Sequence, residues 1–226
     1  DQVIHDAALQ KAPVIFAMDR AGIVGADGPT HHGIFDIPMF LSVPGLELAS
    51  PRDCTVLEKL LDGEITRMEG PVGIRYPRGN EPDLLYPAPE DVSRGRGQLV
   101  REGEHVLMVA VGTMVSRALE AADILSGNGI EAAVYDPVWL KPAPVDEIRR
   151  LSAGKAVVTL EEGALAGGFG RAVAAMLPGS GVLSLGIPDC FVSHGSTGQI
   201  LSELGLDPLG IARSVQDHLG VDHGTR

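Results

Sequence analysis

"DRAGIVGADGPTHHGIFD", Asp19–Asp36, holds four glycines, three aspartates, two adjacent histidines and one arginine, and it follows directly on the apolar run "PVIFAM" (Pro13–Met18). A short apolar run that opens on proline and closes at a glycine-rich segment reads as a buried strand followed by a loop. The loop has almost nothing to contribute to a core, so its composition answers to another demand. It leaves the carboxyl end of the strand, the edge at which open α/β sheets place their ligands. Gly22, Gly25 and Gly28 permit backbone angles or close approaches that a Cβ would obstruct.

Outward from this loop the chain alternates strands and helices. Apolar spacing at Val3, Ile4, Ala7 and Ala8 suggests the end of a helix, Phe35–Leu41 a short helix, and Leu46–Ser50 a short strand. Asp53–Met68 reads as a helix with Asp53 as N-cap, and Pro71–Pro77 as the next strand. Periodicity then lapses through "RGNEPDLLYPAPEDVSRGRG" (78–97), rich in proline, glycine and charge, as in an interdomain linker. Beyond it, strands are expected at His105–Gly112, Glu131–Asp136, Lys155–Gly163 and Gly181–Ile187. Helices are expected at Val115–Leu125, Pro144–Leu151, Phe169–Leu177, Thr197–Leu204 and Pro208–Leu219. "WLKPAP" (Trp139–Pro144) reads as an exposed strand-to-helix turn. Strands separated by helices favour right-handed crossovers and mostly parallel sheets. The expectation is α/β: a partial first domain over 1–80, a linker over 81–98 and a second domain over 99–226.

Composition narrows the function. A net charge of −12 over 226 residues argues against nucleic acid or an anionic membrane as partner. Two cysteines, Cys54 and Cys190, make no disulfide framework and suit a reduced, cytoplasmic chain. No run of apolar residues is long enough to span a membrane, and no signal-peptide pattern is present. The chain begins at Asp1 within an amphipathic pattern, as though cut from something longer.

Candidate chemistry gathers at the strand edge. Arg20, at the exit of the first strand, suits bidentate grip of a phosphate or carboxylate. Asp27 and His31 stand four apart, and a nearby carboxylate is the usual means of orienting an imidazole. Arg75 and Arg78 in "IRYPRGN" leave another strand at the same edge, so arginines from two strands suggest an anion site. His31 and His32 lack a third ligand at convincing spacing, so no metal is expected there. His32 is given no role, and His194 is expected to order a loop near a helix N-terminus. "GALAGGFG" (Gly163–Gly170) follows a strand and precedes a helix but departs from the strict dinucleotide fingerprint, so its glycines are read as packing devices. Glu161 and Glu162 are expected at the domain interface, and both cysteines are expected to be inert.

At these residues the sequence resembles the transketolase-type thiamin-diphosphate enzymes, and among them the 1-deoxy-D-xylulose-5-phosphate synthase family. The resemblance rests on Asp19–Asp36, on "YPRGN" (Tyr76–Asn80), on "EEGALAGGFG" (Glu161–Gly170) and on "GIPDCFVSHGS…LGLDPLGI". It implies the end of a transketolase pyrimidine-binding domain followed by a transketolase C-terminal domain. It also implies condensation of pyruvate with glyceraldehyde 3-phosphate and loss of CO2, on thiamin diphosphate with Mg2+, for isoprenoid, thiamin and pyridoxal synthesis. By the same resemblance Arg20 and Arg78 hold the acceptor phosphate, and His31 and Asp27 stand beside the reacting carbons. The family's Gly-Asp-Gly…Asn element for diphosphate and metal has no counterpart here, so the main cofactor residues are expected upstream and the chain alone is expected to be inactive. It would then need a missing N-terminal region or a partner subunit, within an enzyme expected to be a homodimer. The alternatives are a subunit of a split thiamin-diphosphate enzyme, of transketolase or 2-oxo acid dehydrogenase β type, and a non-catalytic dimerisation or binding module.

Overall fold

In the computed structural model, residues 1–64, 67, 69–79 and 86–221 are described. The first part of the chain opens with a π-helical turn at Val3–Ala8 and builds a sheet from β1 (Ile15–Met18), β2 (Glu47–Ala49) and β3 (Val72–Arg75). β3 lies in the middle, parallel to both neighbours, with Met18 beside Arg75 in register. That register brings the exits of β1 and β3 to the same edge. The first strand is not buried as its apolar run suggests. It lies at the sheet margin with Ile15 39% exposed, whereas every residue of β3 is buried.

The helices of this part are short. α1 (Asp36–Leu41) follows the glycine loop, and α2 (Cys54–Lys59) runs into a π-helical turn at Leu60–Glu64. Asp53 caps α2, its carboxylate accepting from the Val56 amide at 2.8 Å, as expected of an aspartate just before an apolar helix. Of the expected continuation to Met68, residues 65, 66 and 68 lie outside the described residues, as does Asn80 of the "YPRGN" motif.

The second part adds β4 (Gln98–Arg101), β5 (Val106–Ala110), β6 (Ala132–Asp136), β7 (Trp139–Lys141), β8 (Ala156–Ala164) and β9 (Leu183–Ile187). Its sheet runs β4-β6-β5-β8-β9, parallel except for the edge strand β4. Around it lie α3 (Met114–Ser126), α4 (Val145–Ser152), α5 (Phe169–Met176), α6 (Thr197–Glu203) and α7 (Pro208–Leu219). Alternate residues of β5 enter opposite cores. Val106, Met108 and Ala110 pack with α3 and α7, while Leu107 and Val109 pack with α4 and α5. A strand covered on both faces cannot alternate with polar residues, hence the unbroken apolar run "VLMVA".

β7 corrects the reading of "WLKPAP". This segment leaves its own domain's sheet and pairs antiparallel with β2 of the first, so that the first sheet reads β1-β3-β2-β7. Trp139 is fully buried with Ala49, Val56, Val72 and Val92, and its indole N–H donates to the Val92 carbonyl at 2.8 Å. Arg94 lies over the ring, 5.6 Å from its centroid. Lys141 Nζ donates to the carbonyls of Leu41 at 3.0 Å and Val43 at 2.5 Å, placing a cation at the end of α1. The segment before β4 is held as well, with the Pro87 and Pro89 carbonyls accepting from Arg52 and Lys59.

Arg52 also reaches across the two parts. Its Nη1 donates to Gln98 at 2.8 Å and to the fully buried Asp136 at 2.9 Å, and the other Asp136 oxygen accepts from the Val138 amide at 3.0 Å. Burial pushes the Asp136 carboxyl up from 3.8 to about 6, against the opposing pull of Arg52. With the folded pKa above the unfolded one, folding takes up a proton across that window. The stabilisation is complete below the unfolded value and is lost as pH rises through about 6. The melting temperature of the protein relative to its Asp136→Asn variant is therefore expected to fall between about pH 4 and pH 7. A difference that does not move with pH would place the Asp136 titration at its ordinary value.

Candidate active site

The glycine loop is closed at its neck before it does anything else. Gly22 and Gly33 exchange both backbone hydrogen bonds, at 2.8 and 2.9 Å, and the Ala21 amide donates to the Tyr76 carbonyl just past β3 at 3.0 Å. Residues 22–33 thus form a ring seated on the exits of β1 and β3. Within it, the Val24 carbonyl accepts from the amides of Asp27 (3.1 Å) and Gly28 (3.2 Å), and the His31 amide donates to the Gly28 carbonyl at 3.0 Å. Asp27 and His31 are both exposed on this turn.

The structure pairs Asp27 directly with Arg78. Arg78 Nη1 donates to Asp27 Oδ2 at 2.5 Å, with the two side chains 59% and 30% exposed. The hydrogen-bond partner of His31 Nδ1 is the Thr30 hydroxyl at 2.9 Å, and its ring is exposed. Arg20 sits at the neck in the left-handed region, φ 60°, with Nη1 on Asp19 at 2.8 Å and its side chain 41% exposed. A non-glycine residue held there carries backbone strain of the kind found at functional sites. The strand edge therefore presents two partly exposed guanidiniums, Arg20 on Asp19 and Arg78 on Asp27, while His31 is held by Thr30 and not by Asp27 as its spacing suggests.

Arg75 does not belong to that anion site. It is buried, its Nε donating to Asp36 at 2.8 Å and its Nη2 to the carbonyls of Glu162 at 3.1 Å and Gly33 at 3.3 Å. As the last residue of the central strand its side chain has no route to solvent, whereas Arg78 lies three residues beyond the strand.

The second domain closes round the ring. Gly22, at φ 80°, lies against Glu162, where a Cβ would meet the carboxylate side chain at 2.9 Å. Gly25 allows a closer approach still: a Cβ there would stand 2.2 Å from the Gly195 carbonyl oxygen. Its own carbonyl accepts from the Gly195 amide at 2.9 Å. His194 lies against Gly28 just ahead of α6, where a Cβ on the glycine would stand 3.1 Å from the His194 Cβ. Ile23 and Ile34, on either side of the neck, enter the core of the second domain.

The glutamates are interface residues, as expected. Glu162 accepts from the Thr113 hydroxyl at 2.8 Å. Glu161 turns back onto the start of α5 and accepts from the Phe169 and Gly170 amides at 2.9 and 2.8 Å. Burial raises the Glu161 carboxyl, while those amides and Arg75 pull it down. The helix start that follows the glycine run is thus occupied by the protein's own carboxylate. Among the described residues, no group of three His, Cys, Asp or Glu is arranged to hold a metal, and no helix is long and apolar enough to cross a membrane.

Residues 1–82 match the family model of the transketolase pyrimidine-binding domain, and residues 95–211 match that of the transketolase C-terminal domain. The chain belongs to the transketolase family. Within the family it is similar to 1-deoxy-D-xylulose-5-phosphate synthases. That of Chlorobium luteolum is 44% identical over 96% of this chain and 35% of its own length, and that of Syntrophotalea carbinolica 43% identical over 99% and 36%. The chain spans about a third of the length of these relatives. Among solved structures, a split-gene transketolase described as an inactive β4 tetramer superposes with a TM-score of 0.84. It is 31% identical, over 97% of this chain and 71% of its own. The transketolase of Campylobacter jejuni shares the fold, with a TM-score of 0.76 at 21% identity over 93% of this chain and 32% of its own.

If Arg75 and the glycine contacts hold the ring in place, disturbing either releases it. Arg75→Met leaves Asp36 and the Glu162 carbonyl without their cation, an expected loss of about 3–5 kcal/mol in chemical denaturation; a loss under about 1 kcal/mol would deny Arg75 this role. Gly25→Ala is expected to free residues 22–33 to limited proteolysis while the second domain still folds. Unchanged protease resistance would show that the close approach at Gly25 can be relieved cheaply.

Proposed function

We propose that this chain is the acceptor-binding and proton-handling portion of a 1-deoxy-D-xylulose-5-phosphate synthase, which joins pyruvate to glyceraldehyde 3-phosphate with loss of CO2. The observation that carries the reading is the Arg78–Asp27 pair, which ties the residues after β3 to the loop that also carries Arg20 and His31, in a chain similar to such synthases along nearly its whole length. Arg20 and Arg78 bind the acceptor phosphate. Asp27 holds the Arg78 guanidinium in place before substrate arrives, so less ordering entropy is lost on binding. The Thr30 hydroxyl engages His31 Nδ1 and leaves Nε2 as the atom that gives or takes a proton at the reacting carbons.

Thiamin diphosphate, when bound, supplies the electron sink for decarboxylation and carbon–carbon bond formation. By this reading its diphosphate and Mg2+ are held by another part of the enzyme. The reading places the complete enzyme in the cytoplasm as a homodimer, without nucleic acid or membrane as partner. A second reading is favoured by one comparison: a chain of similar reach is a polypeptide of a split-gene transketolase, described as inactive in its β4 form. By that reading this chain is itself a subunit, inactive until a partner supplies the diphosphate site.

Both readings make the arginines phosphate ligands, which is open to test in the assembled enzyme. Arg20→Ala and Arg78→Ala are each expected to raise KM for glyceraldehyde 3-phosphate about 10–100-fold, the worth of a charge-assisted hydrogen bond. KM for unphosphorylated glyceraldehyde should scarcely move. An equal rise for both aldehydes would remove the phosphate role from these side chains.

A further inference from the structure

His32 stands apart from its exposed neighbour His31. It is 8% exposed, and its Nδ1 accepts a hydrogen bond from the Val24 amide at 3.0 Å, eight residues back along the loop. A ring nitrogen that accepts from an amide carries no proton, so the ring is neutral with its hydrogen on Nε2. Nε2 is buried and makes no hydrogen bond among the described residues, so the bond to Val24 is what fixes the imidazole. Burying an unused donor costs stability, which a purely space-filling side chain at this position would avoid.

Val24 joins this ring to the chemistry. Its N–H is held by His32, and its carbonyl receives the amides of Asp27 and Gly28. The His31 amide in turn rests on the Gly28 carbonyl. A single side chain therefore spans the base of the turn that carries both Asp27 and His31. The Gly22–Gly33 neck lies outside this span and closes the ring without setting the turn within it.

We infer that His32 is a positioning residue: as the Nε2–H tautomer it clamps Val24 and thereby sets where Asp27 and His31 stand. The clamp is a property of this chain, and its effect on turnover rests on the synthase reading above. In the 15N-labelled protein, ring nitrogen shifts should report a neutral His32 with a bare Nδ1. Protection of the Val24 amide against hydrogen exchange should fall about tenfold in His32→Ala, the worth of one hydrogen bond, and return in His32→Asn, whose Oδ1 can accept in place of Nδ1. In the assembled synthase His32→Ala should lower kcat by about tenfold or more and His32→Asn should restore it. A proton on Nδ1, or Val24 protection that survives His32→Ala, would overturn the clamp. Lost protection with unaltered kcat would overturn the positioning role. If the wild-type assembly makes no deoxyxylulose phosphate, the synthase reading fails, while the exchange measurements on this chain still decide the clamp.

Discussion

The Arg75 side chain, only 4% exposed, meets Asp36 at the start of α1, Gly33 at the neck of the glycine loop and the Glu162 carbonyl on β8. A cation buried so deeply is tolerable only where each face finds an acceptor, and here the acceptors come from both domains. The loop that carries the candidate chemistry therefore cannot be placed by its own domain alone. Arg52 repeats the device on the far side of the interface through Asp136 and Gln98, and β7 repeats it in backbone form by completing the first sheet from the second domain. Charge, backbone pairing and the buried Trp139 act on the same interface, which makes the relation of the two domains a property of the fold.

Glycine is what lets the two surfaces come that close. Gly22 and Gly25 carry no Cβ where Glu162 and the Gly195 carbonyl stand, so the backbone of the first domain rests on that of the second. The polar side chains of the loop are then free to face outward. Arg20 and Arg78 remain partly exposed while Arg75, three residues before Arg78, is enclosed. One arginine builds the site and two are available to a ligand.

Much of this was legible in the residues. The strand-loop-helix frame around Asp19–Asp36, the Asp53 cap, the apolar runs of β5, β6 and β8 and the strand-edge position of Arg20 and Arg78 follow from local pattern. What was hidden depends on distant partners. β7 is three residues ending at a proline, which reads as a turn; its partner β2 lies some ninety residues earlier, and no local signal announces the pairing. β4 is an edge strand with half-buried residues throughout, so it lacks both alternation and an apolar run. β1 has the composition of an interior strand and occupies a margin. Arg75 and Arg78 look alike in "IRYPRGN", and only the register of β3 separates them. His32 gives no sign in sequence of the amide it holds, because that bond depends on the curvature of the loop.

On the function proposed above, the domain interface holds Arg20, Asp27, His31 and Arg78 ready for an aldehyde phosphate in a synthase reaction. The most direct measurement combines the chain with a polypeptide carrying the diphosphate site and follows 13C-labelled pyruvate in the presence of glyceraldehyde 3-phosphate. The account predicts labelled 1-deoxyxylulose 5-phosphate and CO2 from the assembly, and no product when His31→Ala replaces the wild-type chain. An assembly that leaves pyruvate untouched and instead transfers two-carbon units between sugar phosphates would contradict it.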